Sequence, residues 1–220
     1  MRVLIGAFSG QNMKDRREAC RETWMRDAKA AGVLAVFLMG SERGPTLESD
    51  KLHLPCPDAY RSLTMRTRAF CQWALTRNDW DYLYKCDDDT YVHIDRLLNY
   101  STQSRDYIGA EWSPGVNYAS GGAGYLLSRA AAARIAERMR WAGGAEDKLV
   151  GRVLRRAKIP LHAEPRFVPF GRGNDSAPEF AAAMEAAGYD WPFVPTPDND
   201  LISTHAIPAA EFYPIHSALI

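Results

Sequence analysis

The stretch from Tyr82 to Val92, YLYKCDDDTYV, constrains this chain more than any other. An apolar run leads into three consecutive acids, Asp87, Asp88 and Asp89, and β-forming residues follow them. The short aromatic run predicts a buried strand, and open α/β sheets bind ligands at the carboxyl ends of such strands. Adjacent carboxylates repel one another unless a cation neutralises them. The stretch is therefore either a solvated polar turn or a site for Mg²⁺ or Mn²⁺ that substrate phosphates complete.

Length and charge exclude several classes of protein. The 220 residues suit one domain with a sizeable core. The 27 basic and 27 acidic residues cancel, so we expect no nucleic-acid partner and no general membrane surface. No apolar run approaches the roughly 20 residues of a transmembrane segment, and the first residues lack a signal-peptide pattern. We therefore expect a soluble, cytoplasmic protein.

The four cysteines form neither a CxxC motif nor a zinc-binding pattern. Cys20, Cys71 and Cys86 occupy apolar positions of predicted helices or strands. This usage is typical of small buried side chains in a reducing compartment. We expect all four cysteines, including Cys56, to be free thiols.

The order of predicted elements indicates a parallel α/β sheet. Residues 2–7 form a strand, 11–32 a helix and 33–39 a second strand. Residues 41–58 contain Gly and Pro breakers and are predicted to be a loop, and 63–76 form a helix that leads into the acidic strand. Later elements are a helix over 94–100, strands over 107–109 and 125–127, two helices with apolar stripes over 132–139 and 146–157, irregular chain after 160 and a helix over 208–216.

Several later residues are candidates for a site, each with a simpler explanation. The glycines of the SGGAG stretch, Gly121 and Gly122 among them, allow a close backbone approach, but the stretch lacks the spacing of a P-loop. Asp147 shares the inward face of its helix with Val150, although carboxylates in a first turn commonly serve only the helix dipole. His205 follows an apolar run, where a lone histidine is usually structural.

Five motifs, taken in order, resemble one known family. They are RREACRETW from Arg16, DAYRSLTMRT from Asp58, YLYKCDDDTYV, SGGAGYLLSR and AEDKLVGRVL from Ala145. Together they resemble the β-1,3-glycosyltransferase superfamily, glycosyltransferase family 31, which includes galactosyltransferases and the Fringe and core-1 enzymes. The resemblance spans residues 2 to about 165. Cys20 stands where the family usually has isoleucine, and Arg66 stands where it has lysine.

The resemblance implies a single-domain GT-A fold, a Rossmann-like α/β/α sandwich with a mostly parallel central sheet. Residues 1–110 would form a nucleotide-binding half and residues 111–220 an acceptor and catalytic half. The implied activity is an inverting transfer of a hexose from a UDP-sugar, with Mn²⁺ or Mg²⁺, to a hydroxyl of a carbohydrate or glycoconjugate acceptor. A β-1,3 linkage is the expected product. The implied compartment is the Golgi lumen if the sequence is a domain of a longer, anchored enzyme.

The resemblance also implies roles for individual residues. Asp89 and His205 are the expected metal ligands, with His216 as a weaker candidate. Asp87 or Asp88 would face the ribose and a metal-bound water, and Asp147 would be the catalytic base with Glu146 in support. The remaining expectations concern substrate contacts: phosphate for Arg16, Arg17 and Arg66, the sugar for Gly121 and Gly122, and stacking for Trp112 and Tyr118.

Two other functions are compatible with the sequence. A strand followed by DxD also begins the phosphatase motif of haloacid dehalogenase-like enzymes, although Tyr91 stands where that motif has Thr or Val. A non-catalytic module that only binds a UDP-sugar is the second alternative. The presence of both Asp147 and His205 favours an active enzyme.

Overall fold

The computed structural model describes residues 1–111, 115–140, 145–170, 182, 185, 186, 188 and 193–220. The strands are β1 Val3–Phe8, β2 Ala35–Ser41, β3 Thr46–Glu48, β4 Lys51–Pro55, β5 Tyr82–Asp87, β6 Tyr91–Val92, β7 Tyr107–Gly109, β8 Tyr125–Ser128, β9 His162–Ala163, β10 Phe167–Val168 and β11 Ser203–Thr204. The helices are α1 Lys14–Glu22, α2 Trp24–Ala30, α3 Leu63–Leu75, α4 Ile94–Asn99, α5 Arg129–Arg138, α6 Glu146–Arg156 and α7 Ala209–Leu219.

Eight of these strands form the main sheet, in the order β3-β4-β2-β1-β5-β8-β7-β9. The four central strands, from β4 to β5, are parallel, and β8 runs antiparallel to both β5 and β7. A second, small sheet has the order β10-β11-β6. It joins the chain just after residues 87–89, the acidic turn, to the segment near the C-terminus.

Helices cover both faces of the main sheet, because the central strands are apolar on both sides. β1 is buried throughout, and its alternate residues belong to two separate cores: Val3 and Ile5 to one, Leu4 and Phe8 to the other. The first core receives side chains from α1, α2, α4 and α7, and the second from α3, α5 and α6. The molecule is therefore an α/β/α sandwich, as predicted.

Two sequence predictions of local structure are wrong. The helix expected over residues 11–32 is two helices, α1 and α2, which separate at Thr23 with φ −118° and ψ −114°. The hydroxyl of Thr23 donates to the carbonyl of Ala19 at 2.5 Å, a local bond that competes with helix continuation. The loop expected over 41–58 contains β3 and β4. Leu52 and Leu54 are fully buried there, so packing on β2 overrides the nearby Gly and Pro breakers.

All four cysteines are free and buried, which confirms that prediction. Among the described residues, no helix has the length and apolar character needed to cross a membrane. The predicted division into two halves at residue 110 stays a prediction.

Candidate active site

The acidic turn lies at the carboxyl edge of the main sheet. β5 pairs in parallel with β1, and Asp87 stands opposite Phe8, the last residue of β1. The backbone N–H of Asp88 donates to the carbonyl of Phe8 at 3.0 Å, and that of Asp87 donates to the carbonyl of Gly122 at 3.3 Å. Thr90 Oγ1 donates to the same Gly122 carbonyl at 2.8 Å. The turn is thus fixed between the end of β1 and residues 120–124, the glycine-rich loop.

His205 reaches the acidic turn from the C-terminal part of the chain. Its backbone N–H donates to the carbonyl of Val168, and its Nδ1 lies 3.0 Å from the carbonyl of Pro169. The Pro169 carbonyl can only accept, so Nδ1 carries a proton. The other ring nitrogen, Nε2, lies 3.3 Å from Asp89 Oδ1 and 3.9 Å from Asp87 Oδ2. One ligand atom from each of the three side chains lies within 4.8 Å of the others.

This group of three side chains has the chemistry of a divalent cation site. Two carboxylates and one imidazole are a donor set that Mn²⁺ or Mg²⁺ accepts. Among the described residues, Asp89 Oδ1 and Asp88 Oδ2 are buried without a hydrogen-bond partner, which is costly for carboxylate oxygens in the absence of a cation. Burial opposes ionisation of Asp89, but His205 and Arg16 lower its pKa below the ordinary value. The residues present therefore fit the ion that the sequence predicted.

Asp88 lies beside Arg16. Arg16 Nη1 lies 3.3 Å from Asp88 Oδ1 and 2.9 Å from Asp89 Oδ2. Burial raises the pKa of Asp88 to about 6, with Arg16 acting in the opposite direction. The Arg16 side chain is 42% exposed and lines the cleft above the acids, so it is available to an anionic ligand.

The other two arginines predicted to contact phosphate are buried and bind the protein. Arg17 donates to Ser9 Oγ at 2.8 Å and to the carbonyls of Gly10 and Gln11. Arg66 donates to the carbonyls of Ser9 and Leu38 and to the carboxylate of Asp58 at 2.7 Å. Both guanidinium groups thereby shape the loop after β1.

A cleft of about 430 Å³ opens above the acidic turn. Its walls come from the loop after β1, α1, the start of α3 and the acidic turn with His205. Tyr60 lies on its rim with 84% of its surface exposed, and Met13 is the other exposed apolar side chain there. The cleft thus combines charged groups at its base with an aromatic face at its rim.

The first turn of α6 lies across the glycine-rich loop from the acidic turn. Glu146 is buried and accepts hydrogen bonds from Thr67 Oγ1 and Tyr125 Oη, both at 2.6 Å. Asp147 is half-buried, and its Oδ2 accepts from the N–H of Gly121 at 3.3 Å. Glu146, rather than Asp147, is therefore the carboxylate that points into the fold. The base role predicted for Asp147 stays a prediction.

The predicted glycines bring the acidic turn and α6 together. A Cβ on Gly122 would overlap the imidazole of His205, and one on Gly121 would lie 3.1 Å from Glu146 Oε2. Because these two glycines have no side chain, His205 and Glu146 can pack directly against the loop. Of the two aromatic residues expected to stack on a sugar, Tyr118 packs against Gly151 of α6, and Trp112 lies outside the described residues.

Lys85 lies between the acidic turn and the first turn of α6, and the sequence analysis did not single it out. Its Nζ donates to Asp87 Oδ1 and to the carbonyl of Gly121, both at 3.0 Å, and lies 3.6 Å from Glu146 Oε2. The signal was present in YLYKC, where a single lysine interrupts the apolar run of a central strand. His216, the weaker metal candidate, lies elsewhere and contacts Tyr91 Oη at 2.9 Å.

The fold is similar to that of solved glycosyltransferases. A glycosyltransferase involved in the glycosylation of the major capsid of PBCV-1 matches with a TM-score of 0.56 and 14% identity, covering 98% of both chains. The galactosyltransferase LgtC, solved with donor and acceptor sugar analogs, matches with a TM-score of 0.52 and 12% identity, covering 100% of this chain and 96% of that one. At such identities the likeness establishes the fold alone. The chain has the GT-A fold that its sequence predicted.

Sequence comparison finds similarity to one family over the first half of the chain. Residues 15–114 match the model of the Galactosyltransferase family. Hydroxyproline O-galactosyltransferase GALT2 of Arabidopsis thaliana is 29% identical over 109 residues, which are 44% of this chain and 16% of that protein. Beta-1,3-galactosyltransferase 6 of Mus musculus is 33% identical over 111 residues, 44% of this chain and 34% of that protein. These matches support the predicted resemblance: residues 15–114 are similar to the Galactosyltransferase family, and the matched relatives are named galactosyltransferases.

These matches cover only part of each protein. The chain spans about a sixth of the Arabidopsis relative and a third of the mouse one. The family match includes Arg16 and the acidic turn but ends before Gly121, Asp147 and His205. The roles of these last three residues therefore rest on their contacts in the structure.

Proposed function

We propose that this chain is the catalytic part of a metal-dependent glycosyltransferase, which moves a hexose from a UDP-sugar to a hydroxyl group of a carbohydrate or glycoconjugate acceptor. One observation carries the proposal: Asp87, Asp89 and His205 converge at the carboxyl edge of a GT-A sheet, in a chain related to named galactosyltransferases. We further propose that the reaction inverts the anomeric centre and forms a β-1,3 linkage, as the sequence resemblance implies.

The donor half of the site would use the acidic turn and α1. Asp87, Asp89 and His205 would hold Mn²⁺ or Mg²⁺, which when bound neutralises the diphosphate leaving group. Arg16 adds a positive charge at the same edge, within reach of a phosphate in the cleft. Tyr60, exposed at the rim, offers a face on which a nucleobase could stack.

The acceptor half would use α6 and the loop before it. Glycosyl transfer builds positive charge on the sugar, and inversion needs one base on the face opposite the leaving group. Asp147 is our candidate for that base, because it is half-buried at a helix N-terminus, which favours its ionised form. Gly121 and Gly122 lie between Asp147 and His205, so the transferred sugar would pass over their backbone. Tyr118, packed on α6, would provide an aromatic surface for the acceptor.

A two-part experiment tests this proposal. The chain is first screened by thermal shift against UDP-galactose, UDP-glucose and their N-acetylhexosamine counterparts, each with and without Mn²⁺. We expect stabilisation by at least one donor only when the metal is present. The stabilising donor is then incubated with Mn²⁺ and oligosaccharide acceptors, and UDP release is measured with and without acceptor.

Each alternative function predicts a different result. Release of orthophosphate from hexose phosphates, with no response to any UDP-sugar, would assign the chain to the phosphatases and contradict the proposal. Donor binding without UDP release, with or without an acceptor, would indicate a binding module. This experiment also narrows the donor and the acceptor. The cellular compartment expected from the sequence stays a prediction that it does not test.

A further inference from the structure

Lys85 is a buried cation that the proposed function does not yet use. It lies in the middle of β5, opposite Gly6 on one side and Tyr125 on the other, and its side chain is only 4% exposed. A buried ammonium is destabilising unless carboxylates neutralise it. Two carboxylates lie close enough to do so, with Asp87 Oδ1 3.0 Å and Glu146 Oε2 3.6 Å from Nζ.

The ammonium group contacts both halves of the site at once. It donates to Asp87 Oδ1 and to the Gly121 carbonyl, each at 3.0 Å, and its Nζ lies 3.6 Å from Glu146 Oε2. The ring of Phe8 covers it, with the ring centroid 3.9 Å from Nζ. A single charged atom thus links the acidic turn, the glycine-rich loop and the first turn of α6.

The contact with Asp87 selects which of its oxygens faces the metal site. Oδ1 is occupied by the hydrogen bond from Lys85, while Oδ2 is the oxygen that lies 3.9 Å from His205 Nε2. Hydrogen bonds of this kind commonly fix the orientation of metal-ligating carboxylates. Without Lys85, the Asp87 carboxylate would be free to rotate about its terminal bond.

The contacts on the other side lead to Asp147. Gly121 accepts from Lys85 through its carbonyl and donates through its N–H to Asp147 Oδ2 at 3.3 Å. Glu146, the residue before Asp147, is held by Thr67 and Tyr125 as well as by Lys85. The distance between the acidic turn and Asp147 therefore depends on groups that Lys85 holds together.

We propose that Lys85 is a positioning residue for the reaction, an assignment that rests on the proposed function. It presents one oxygen of Asp87 to the divalent cation and fixes the spacing between the metal-binding carboxylates and Asp147. Its charge, placed between Asp87 and Glu146, also allows carboxylates from two elements to pack closely.

The test is the Mn²⁺ affinity of Lys85→Met, measured by calorimetry in the absence of nucleotide. We expect the affinity to fall about 10- to 100-fold, the usual effect of losing a hydrogen bond that orients a ligand. Arg129→Met is the matched control, because Arg129 stacks on Trp80 and donates to the Arg77 carbonyl at the opposite end of β5. It should bind Mn²⁺ as the wild type does. In transfer assays kcat of Lys85→Met should fall while the KM for acceptor stays unchanged.

A second variant covers the case in which Lys85→Met leaves Glu146 unpaired and unfolds the protein. The double variant Lys85→Met/Glu146→Gln removes both charges of the buried pair, and the same loss of Mn²⁺ affinity is expected. A folded Lys85 variant with the Mn²⁺ affinity of the wild type would overturn the assignment of Lys85 alone. A wild-type protein that binds neither Mn²⁺ nor UDP would instead overturn the proposed function, and this assignment with it.

Discussion

His205 Nε2 lies 3.3 Å from Asp89 Oδ1, although the two residues come from distant parts of the chain. The small sheet brings them together, because β11, directly before His205, pairs with β6, directly after the acidic turn. The N–H of Ile207 donates to the carbonyl of Asp89 at 3.0 Å and closes the arrangement. Metal binding in this protein should therefore depend on how the C-terminal segment docks.

The first prediction concerns Gly122, over which His205 lies. Gly122→Ala would place a methyl group inside the volume of the imidazole ring, so His205 must move away from Asp89. We expect Mn²⁺ affinity to fall at least about tenfold, as for other changes that reorient a ligand. Calorimetry with Mn²⁺ checks this, with Gly44→Ala as control, because a Cβ on Gly44 meets no atom within 4 Å. Equal affinities for the two variants would show that His205 is not a ligand.

The second prediction concerns Asp147. Asp147→Asn should retain the fold and the Mn²⁺-dependent affinity for UDP, while kcat for transfer falls by about 10²–10⁴, the usual effect of losing a general base. Steady-state kinetics and calorimetry on the same preparation separate the two properties. The exposed Asp79, paired with Arg77, provides the control Asp79→Asn, which should transfer normally. Near-full activity of Asp147→Asn would mean that another carboxylate is the base.

The third prediction is a pH dependence at His216. Burial lowers the pKa of His216, and its neutral form suits its partners, with Nδ1 2.9 Å from Tyr91 Oη and Nε2 2.5 Å from Arg26 Nη2. A histidine whose pKa is lowered on folding contributes stability above its unfolded pKa of about 6.5, and this contribution is lost as the pH falls through the folded pKa.

His216→Gln should therefore destabilise the protein by about 1–3 kcal/mol at pH 7.5, the cost of disrupting a buried hydrogen-bonded group. The difference from wild type should shrink towards pH 5, because the unfolded histidine binds a proton more readily than the folded one. Urea unfolding of both proteins at the two pH values measures this difference. A difference that grows on acidification would mean that protonated His216 is the favoured form, with Asp27, 3.7 Å away, as its partner.

Much of the fold could be predicted because its elements are strongly patterned. The apolar runs around Ile5 and Tyr84 are buried on both faces, which is the property that made them recognisable as central strands. Local sequence propensity predicted the wrong structure where contacts between elements determine it. The strand containing Leu52 and Leu54 exists because it pairs with β2, and no local signal outweighed its flanking prolines.

The candidate site was likewise predictable only in part. Asp87 and Asp89 could be located from one contiguous motif at a strand end, but their partners lie far along the chain. The metal-ligand role of His205 came from the family resemblance, and the two-residue strands that position it are too short for periodicity to detect. Lys85 was overlooked because the buried carboxylate that helps to neutralise it, Glu146, comes from another element.

The most direct test of the account is calorimetry of UDP binding to wild type, Asp89→Asn and Asp81→Asn, in Mn²⁺ and in EDTA. Asp81 precedes the same strand at its opposite end and pairs with Arg2, so its variant controls for the loss of one charge. We predict that wild type and Asp81→Asn bind UDP in Mn²⁺ and lose binding in EDTA, and that Asp89→Asn binds at least about tenfold more weakly. Equal affinity of Asp89→Asn, or no effect of EDTA, would contradict the metal-dependent site.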